Sequence, residues 1–353
     1  MKIIHTADIH LGSKLESSLT KEKRMDLLMS IRSSFNNLVL YARNNGVKVI
    51  LLCGDIFDRD CPFLKDRNFF LDLIRRNEDI SFYYLKGNHD SLDTKEYENL
   101  KNLKLFGSSW KSYDIEDVTI SSIEIGETNK DSLYSTLNLR KDRFNIVMLH
   151  GSINGNHKDP NYIDLAGLSN KNINYLALGH IHKPEEGNKY GIEYAYPGIL
   201  QGRSFDEIGN HGFYLLDIED KVLTKKFIPL NDRAIILKEI NITDAKNEYD
   251  VVEQIKTKIK KDDKNLYRIV LKGKIDEDAN LDVFEIETAL KNYFYYVNIV
   301  DKLELKIDLD KYKNDIGIKG VFIREVMNDP TLKDSEKAEI VRAGISALSG
   351  NSL

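Results

Sequence analysis

Ile80-Ser81-Phe82-Tyr83-Tyr84-Leu85-Lys86-Gly87-Asn88-His89-Asp90 passes from apolar and aromatic residues into a glycine, an amide, an imidazole and a carboxylate. The apolar part reads as a buried strand that ends where the polar groups begin. Gly87 permits a sharp turn, after which three side chains of different chemistry stand side by side. Taken alone, the polar residues also suit a plain turn in which Asn88 and Asp90 bond their own backbone. What favours a site is recurrence, because other strand-like runs of this chain end the same way.

Upstream, Ile3-Ile4-His5-Thr6 reads as a strand running into Thr6-Ala7-Asp8-Ile9-His10-Leu11-Gly12. Side chains alternate in an extended segment, so Asp8 and His10 point the same way, with Ile9 toward the core, and offer one oxygen and one nitrogen to a single ion. Met25, Leu28, Phe35, Leu38 and Val39 fall on helical spacing, and Asn44-Asn45-Gly46 suits a left-handed stop. Val47 to Cys53 reads as a second buried strand, ending in Gly54-Asp55-Ile56-Phe57-Asp58, and a helix from about Leu64 to Arg76 returns the chain to the opening stretch. Strand, helix, strand, helix, strand predicts an α/β fold with parallel strands and helices on the faces. Loops at the carboxyl ends of such strands gather in one crevice.

Beyond Trp110 the apolar runs shorten: Val118 to Ile125, Phe144 to Leu149, Asn174 to Leu178, Glu193 to Tyr196, Phe213 to Ile218 and Leu223 to Ile228. They predict a second sheet packed on the first. Two of them end in histidine, at His150-Gly151 and at Gly179-His180-Ile181-His182. From Asp232 the composition shifts toward Lys, Asp, Glu and Asn. Strands at Ile235 to Ile242 and Tyr267 to Ile275, helices at Glu248 to Lys261 and Val283 to Asn292, and two short strands to Ile307 predict a small α/β domain. Lys311 to Leu353 reads as two amphipathic helices split by Asn328-Asp329-Pro330, with Ile318, Phe322 and Val326 on one and Val341, Ile345 and Leu348 on the other. The expected divisions are 1–231, 232–308 and 309–353.

At 353 residues and 41% hydrophobic content, the chain suits one large or two ordinary domains with a substantial core. Met1-Lys2 leads straight into a strand and no apolar run reaches membrane-spanning length, so the expectation is a cytoplasmic protein with no membrane partner. Cys53 and Cys61 are too few for a disulfide framework. A formal charge of −5 weighs against a nucleic-acid binder. Two divalent cations would bring it to −5 + 4 = −1, with the added charge where a phosphate must sit.

Asp8, His10, Asp55, Asn88, His150, His180 and His182 are oxygen and nitrogen donors without a thiolate, a set that suits two divalent ions such as manganese, iron or zinc. Asp55, with two oxygens and a central place in the order, is the natural bridge. Two ions held together clamp a phosphate and lower the pKa of a shared water. His89 is placed to stabilise or protonate the leaving oxygen. His5, His157 and His211 read as structural. The cluster Lys256, Lys258, Lys260, Lys261 and Lys264 reads as a solvated helix face, with DNA contact as the alternative. The loop Ser152 to Tyr162, with Asn154, Asn156, His157 and Lys158, suits either phosphate contact or plain surface.

Asp8-x-His10, Gly54-Asp55-x-x-Asp58, Gly87-Asn88-His89-Asp90, His150 and Gly179-His180-x-His182 together resemble, in order, the dinuclear metallophosphoesterases of the calcineurin-like superfamily. The resemblance spans about the first 230 residues. It implies a two-sheet sandwich flanked by helices. One metal would be held by Asp8, His10, Asp55 and His182, the other by Asp55, Asn88, His150 and His180. His89 matches the catalytic histidine and Asp58 its carboxylate partner.

Asp8-Ile9-His10-Leu11-Gly12, the run Leu178 to Pro184, Tyr196-Pro197-Gly198 and Gln201 to Glu207 are further similar to the SbcD-type DNA repair exonucleases. That likeness implies a DNA substrate, manganese as metal, a small cap domain that binds DNA, and a coiled-coil ATPase of the SbcC type docking beyond the cap. A homodimer is a further expectation. The chain is compact for this group, and its C-terminal helices match no docking motif. A phosphoesterase acting on a small ester and a scaffold that binds DNA ends remain alternatives.

Overall fold

The computed structural model describes residues 1–15, 19–58, 62–90, 97, 99–126, 132–155, 160–276, 279, 281–306, 309–312 and 314–348. Asn156, His157, Lys158 and Cys61 lie outside them. The chain divides into two units, Met1–Ala234 and Ile235–Leu353. Among the described residues no helix is long and apolar enough to cross a membrane.

The first unit opens with β1 (Lys2–Thr6), α1 (Lys21–Asn44), β2 (Val49–Cys53), α2 (Leu64–Arg75), β3 (Ser81–Leu85) and β4 (Leu103–Leu105). It continues with β5 (Lys111–Ile115), β6 (Val118–Ser122), α3 (Leu133–Thr136), β7 (Phe144–His150), β8 (Tyr175–Gly179), β9 (Glu185–Lys189), β10 (Ile192–Tyr196), β11 (Gly212–Glu219) and β12 (Val222–Pro229). The strands form two six-stranded sheets, ordered β12-β11-β1-β2-β3-β4 and β5-β6-β7-β8-β10-β9. From β1 to β4 all pairings are parallel, as the alternation with α1 and α2 dictates. β11 closes the first sheet antiparallel to β1, so the runs at 213–218 and 223–228 join the first sheet rather than the second.

Period-two alternation explains why the first sheet is covered on both faces. Ile3, Val49, Leu51, Tyr83 and Leu85 face Val118, Ile120, Phe144, Ile146 and Met148 of the second sheet. Their neighbours Ile4, Ile50, Leu52, Phe82 and Tyr84 meet Ile31, Phe35 and Leu38 of α1 and Phe70 and Ile74 of α2. Thr20 Oγ1 caps α1 by accepting from Lys23 N. Met25, expected on the packed face, is 46% exposed. The architecture is an α/β two-sheet sandwich flanked by helices.

The second unit has β13 (Ile235–Thr243), α4 (Glu248–Lys258), β14 (Asp262–Asp276), α5 (Val283–Leu290), β15 (Phe294–Asp301) and β16 (Glu304–Lys306). β14 pairs in parallel with β13, β15 and β16. Ile240, Ile242, Val251, Ile255, Ile269 and Leu271 lie in its core. Then come α6 (Leu309–Tyr312), α7 (Ile318–Asn328) and α8 (Asp334–Leu348). Tyr312, Ile323, Val341 and Ile345 form a cluster of their own, with Phe322 and Val326 packed against it. Ile318 and Leu348, expected on the packed faces, are 76% and 49% exposed.

Candidate metal centre

The first ligand segment is not extended. β1 stops at Thr6, and Asp8 and His10 have φ of 50° and 51°; Asp55 follows at 52° and His180 at 98°. For side chains with a Cβ this left-handed backbone costs on the order of 1 kcal/mol or more per residue. Backbone bonds over-determine it: Asp8 N donates to Gly54 O at 3.0 Å, His10 N to Asp55 O at 3.0 Å and Leu11 N to Ile56 O at 2.8 Å. The alternation expected for Asp8 and His10 is therefore replaced by tight turns, which still bring both to one place. Gly87 likewise does not serve a left-handed turn. A Cβ there would sit 2.1 Å from Asp55 Oδ1, so glycine is needed to let the strand pass the carboxylate. Asp90 fastens the loop by accepting from Phe57 N at 2.9 Å, Gly87 N at 3.1 Å and Ile56 N at 3.2 Å.

Two groups of side chains converge tightly enough to hold ions: Asp8 with His10 and His182, and Asp8 with Asp55 and His150, each with ligand atoms within 4.8 Å of one another. Asp8, His10, Asp55 and His150 are buried, whereas Asn88 and His89 are exposed, giving a closed floor with an open mouth. His10 Nε2 and His182 Nε2 stand 3.2 Å apart. His182 Nδ1 donates to Glu207 Oε1 at 2.9 Å, which leaves its Nε2 as a lone pair. His10 Nδ1 lies 3.0 Å from Asp58 Oδ1, off the line of a good hydrogen bond. Two ring nitrogens this close either share one ring proton or ligate a common cation.

His150 repeats the situation. Its Nδ1 is 2.9 Å from the Cys53 carbonyl, which can only accept, so Nδ1 carries the proton. Its Nε2 then faces two further acceptors, Asn88 Oδ1 at 3.0 Å and Asp55 Oδ2 at 3.4 Å. Burial works against a charge on His150, yet Asp55 and Asp8 outweigh it and raise its pKa to about 9. Burial would also raise Asp55, but the His150 contact wins and Asp55 falls to about 2. Asp8 is pushed by burial to about 6, against the pull of His150 and His182. Acceptor facing acceptor on buried ground calls for positive charge, and a divalent ion supplies it without a proton. His180 Nδ1 joins at 3.3 Å from Asn88 Oδ1, while its backbone N donates to Asp8.

His89 donates its backbone N–H to Asp55 Oδ1 at 2.9 Å, and its ring lies 5.8 Å from that of His10. Asp58 was expected beside His89. It sits instead against His10 and accepts from Arg203 Nη1 at 3.0 Å. Arg203 also donates to Glu207 Oε1 at 2.7 Å; its Nη2 and His182 Nδ1, 3.1 Å apart, converge on that same oxygen. Sequence reasoning gave neither Arg203 nor Glu207 a role. Their four-residue spacing was visible, but nothing local tied either one to residues 58 or 182. His5 is structural as expected, bonding Tyr175 Oη at 2.9 Å and Leu178 O at 3.1 Å.

Residues 1–184 match the family described as calcineurin-like phosphoesterase. YhaO of Bacillus subtilis, described as an uncharacterized metallophosphoesterase, is 29% identical over 297 residues, covering 78% of this chain and 73% of that protein. The DNA double-strand break repair protein Mre11 of Sulfolobus acidocaldarius is 23% identical over 350 residues, covering 93% and 90%. The SbcD component of the SbcCD nuclease of Staphylococcus epidermidis is 24% identical over 302 residues, covering 74% and 76%.

Proposed function

The chain belongs to the calcineurin-like phosphoesterase family, a family of hydrolases that bind two divalent metals, and from that premise we propose that it is a metal-dependent DNA phosphodiesterase, an exonuclease that also cuts single strands. The observation that carries the reading is the convergence of Asp8 with His10 and His182, and of Asp8 with Asp55 and His150, each set with ligand atoms within 4.8 Å of one another. The DNA part draws support from the likeness to Mre11, which runs over 93% of the chain.

In this reading Asp8, His10, Asp55 and His182 hold one ion, and Asp55, Asn88, His150 and His180 the other, manganese being the first to try. Bound together, such ions clamp a phosphate and lower the pKa of a water between them. Asp55 keeps its charge at neutral pH because His150 stands against it. His89, exposed at the mouth, stabilises or protonates the departing oxygen. Residues 232–308 serve as a DNA-binding cap and residues 309–353 as the seat of a coiled-coil ATPase, in a cytoplasmic protein that works as a homodimer.

The test is turnover with manganese on linear DNA, cyclic nucleotides and para-nitrophenyl esters. Degradation of DNA is expected. Activity on the small esters alone would remove the nuclease reading, and retention of DNA ends without hydrolysis would make the chain a scaffold.

A further inference from the structure

The first unit has a second concave feature, and it lies at the edge of the first sheet. β4 is the last strand there, β5 the last strand of the second sheet, and the segment joining them borders a groove of about 730 Å³. Lys101, Lys104 and Lys111 line it, with Phe106, Trp110 and Tyr113, and among the described residues no Asp or Glu does. In a chain with 56 acidic and 51 basic residues, a wall whose described residues carry one sign is a local departure from the average. The lysine amines meet backbone carbonyls: Lys104 Nζ bonds Lys101 O at 2.8 Å and Lys111 Nζ bonds Leu105 O at 3.2 Å. Nearby carboxylates are engaged with other cations, Glu124 with Lys86 at 3.9 Å and Asp114 with Arg140 and Arg143 at 3.6 and 3.7 Å.

The aromatic rings are fixed. Trp110 Nε1 donates to Leu133 O at 3.0 Å, Tyr113 Oη donates to Leu105 O at 3.1 Å, and Lys111 Nζ lies 4.8 Å from the Tyr113 ring centre. Phe106 is buried beneath them, and the partly exposed rings of Trp110 and Tyr113 beside ammonium groups form the combination that holds unpaired bases and their phosphates. A duplex keeps its base faces stacked and has none to offer.

The groove also adjoins the metal loops. β3 and β4 run parallel, with Tyr84 opposite Leu105, so both strands leave the sheet at the same edge. Phe106 N bonds Tyr84 O, Glu124 N bonds Gly107 O at 2.8 Å, and Glu124 in turn faces Lys86. The Phe106–Gly107 end of the groove thus neighbours the end of β3, from which Lys86 leads into the loop bearing Asn88 and His89.

We propose that this groove holds the single-stranded part of a polynucleotide substrate beyond the bond being cut. The proposal rests on the DNA reading of the metal centre and narrows it: the preferred substrate has an unpaired stretch long enough to reach β4.

The experiment compares the parent with a Lys101→Gln, Lys104→Gln, Lys111→Gln variant, which keeps side-chain length and removes charge. Fluorescence anisotropy with a long and a very short oligothymidylate is read across a salt series. Hydrolysis of bis-para-nitrophenyl phosphate with manganese reports on the centre itself. The expected result is a loss of affinity for the long strand of at least tenfold, a salt dependence shallower by up to about two units for three lost phosphate contacts, and unchanged hydrolysis of the small ester. Unchanged affinity for the long strand overturns the proposal while leaving the nuclease reading intact, and would point the edge of β4 toward pairing with a protein strand. Equal loss on both substrates also overturns it, since the lysines would then belong to the centre. A parent that binds no single strand at all also overturns the proposal, while degradation of linear DNA decides the nuclease reading separately.

Discussion

His89 and Asn88 are adjacent, both exposed, and occupied with different partners. The Asn88 amide oxygen is shared between His150 and His180, whereas the His89 ring lies beside that of His10. Charge on a departing oxygen grows only as the bond breaks, so a group acting there contributes to the transition state. His89→Ala should keep both metals and lose turnover by roughly a hundredfold or more. Asn88→Ala should lose metal from one position and regain part of its activity in excess manganese. Metal analysis and rate together separate the two, and rescue of His89→Ala by added metal would withdraw its assignment. Arg203 acts at one remove. It spans Asp58 and Glu207, the carboxylates that face the outer nitrogens of His10 and His182. Arg203→Met should therefore weaken metal binding at that position by about 10- to 100-fold, read by competition with a chelating dye, while a lysine replacement restores part of it. Unaltered affinity would reduce Arg203 to a surface contact.

The elements that carry ligands were legible because each is a short apolar run that ends in a donor, and four of the five carry a neighbouring glycine. What escaped were strands without that signature. β9 reads Glu185-Glu186-Gly187-Asn188-Lys189, an edge strand whose exposed residues show no alternation, and β4 is only three residues long. Side-chain partners escaped for a different reason: Arg203 and Asp58 lie 145 residues apart, and only the crossing of two loops brings them together. His5 shows the same on the scale of a strand, since its bonds to Tyr175 and Leu178 tie β1 of one sheet to β8 of the other. Burial lowers its pKa from 6.5 to about 3. The folded protein thus keeps His5 neutral where the unfolded chain takes up a proton, so this contribution is complete above pH 6.5 and erodes as pH falls toward 3. One proton corresponds to roughly 1.4 kcal/mol per pH unit. His5→Phe should be less stable at neutral pH, having lost both bonds, yet its stability should fall less steeply with acid. Urea titrations across that range would show the difference in slope, and identical slopes would mean that other groups govern the acid limb.

For the whole molecule, the donors Asp8, His10, Asp55, Asn88, His150, His180 and His182 all lie within Met1–Ala234, a unit with its own extensive core. The second unit contributes none of them and packs its own sheet and its own helical cluster. The sequence showed a change of composition near Asp232 but not what the last helices do, because amphipathic spacing fixes which positions share a face and not what covers it. Here Ile345 and Val341 meet Ile323 and Tyr312, so that much of the apolar surface is consumed within the segment. The donors thus lie in a unit that packs separately from residues 235–348, to which the proposed function assigns a part in recognition. A fragment of residues 1–234 should fold, bind metal with the parent's stoichiometry and hydrolyse bis-para-nitrophenyl phosphate at a comparable rate. It should bind DNA more weakly and lose association with any ATPase partner, because both tasks are assigned to what was removed. Circular dichroism with metal analysis checks the first half, and anisotropy on a forked DNA the second. If the fragment folded and loaded metal but kept the parent's full DNA affinity, the cap would have no part in binding, and the groove beside β4 would be left as the main contact.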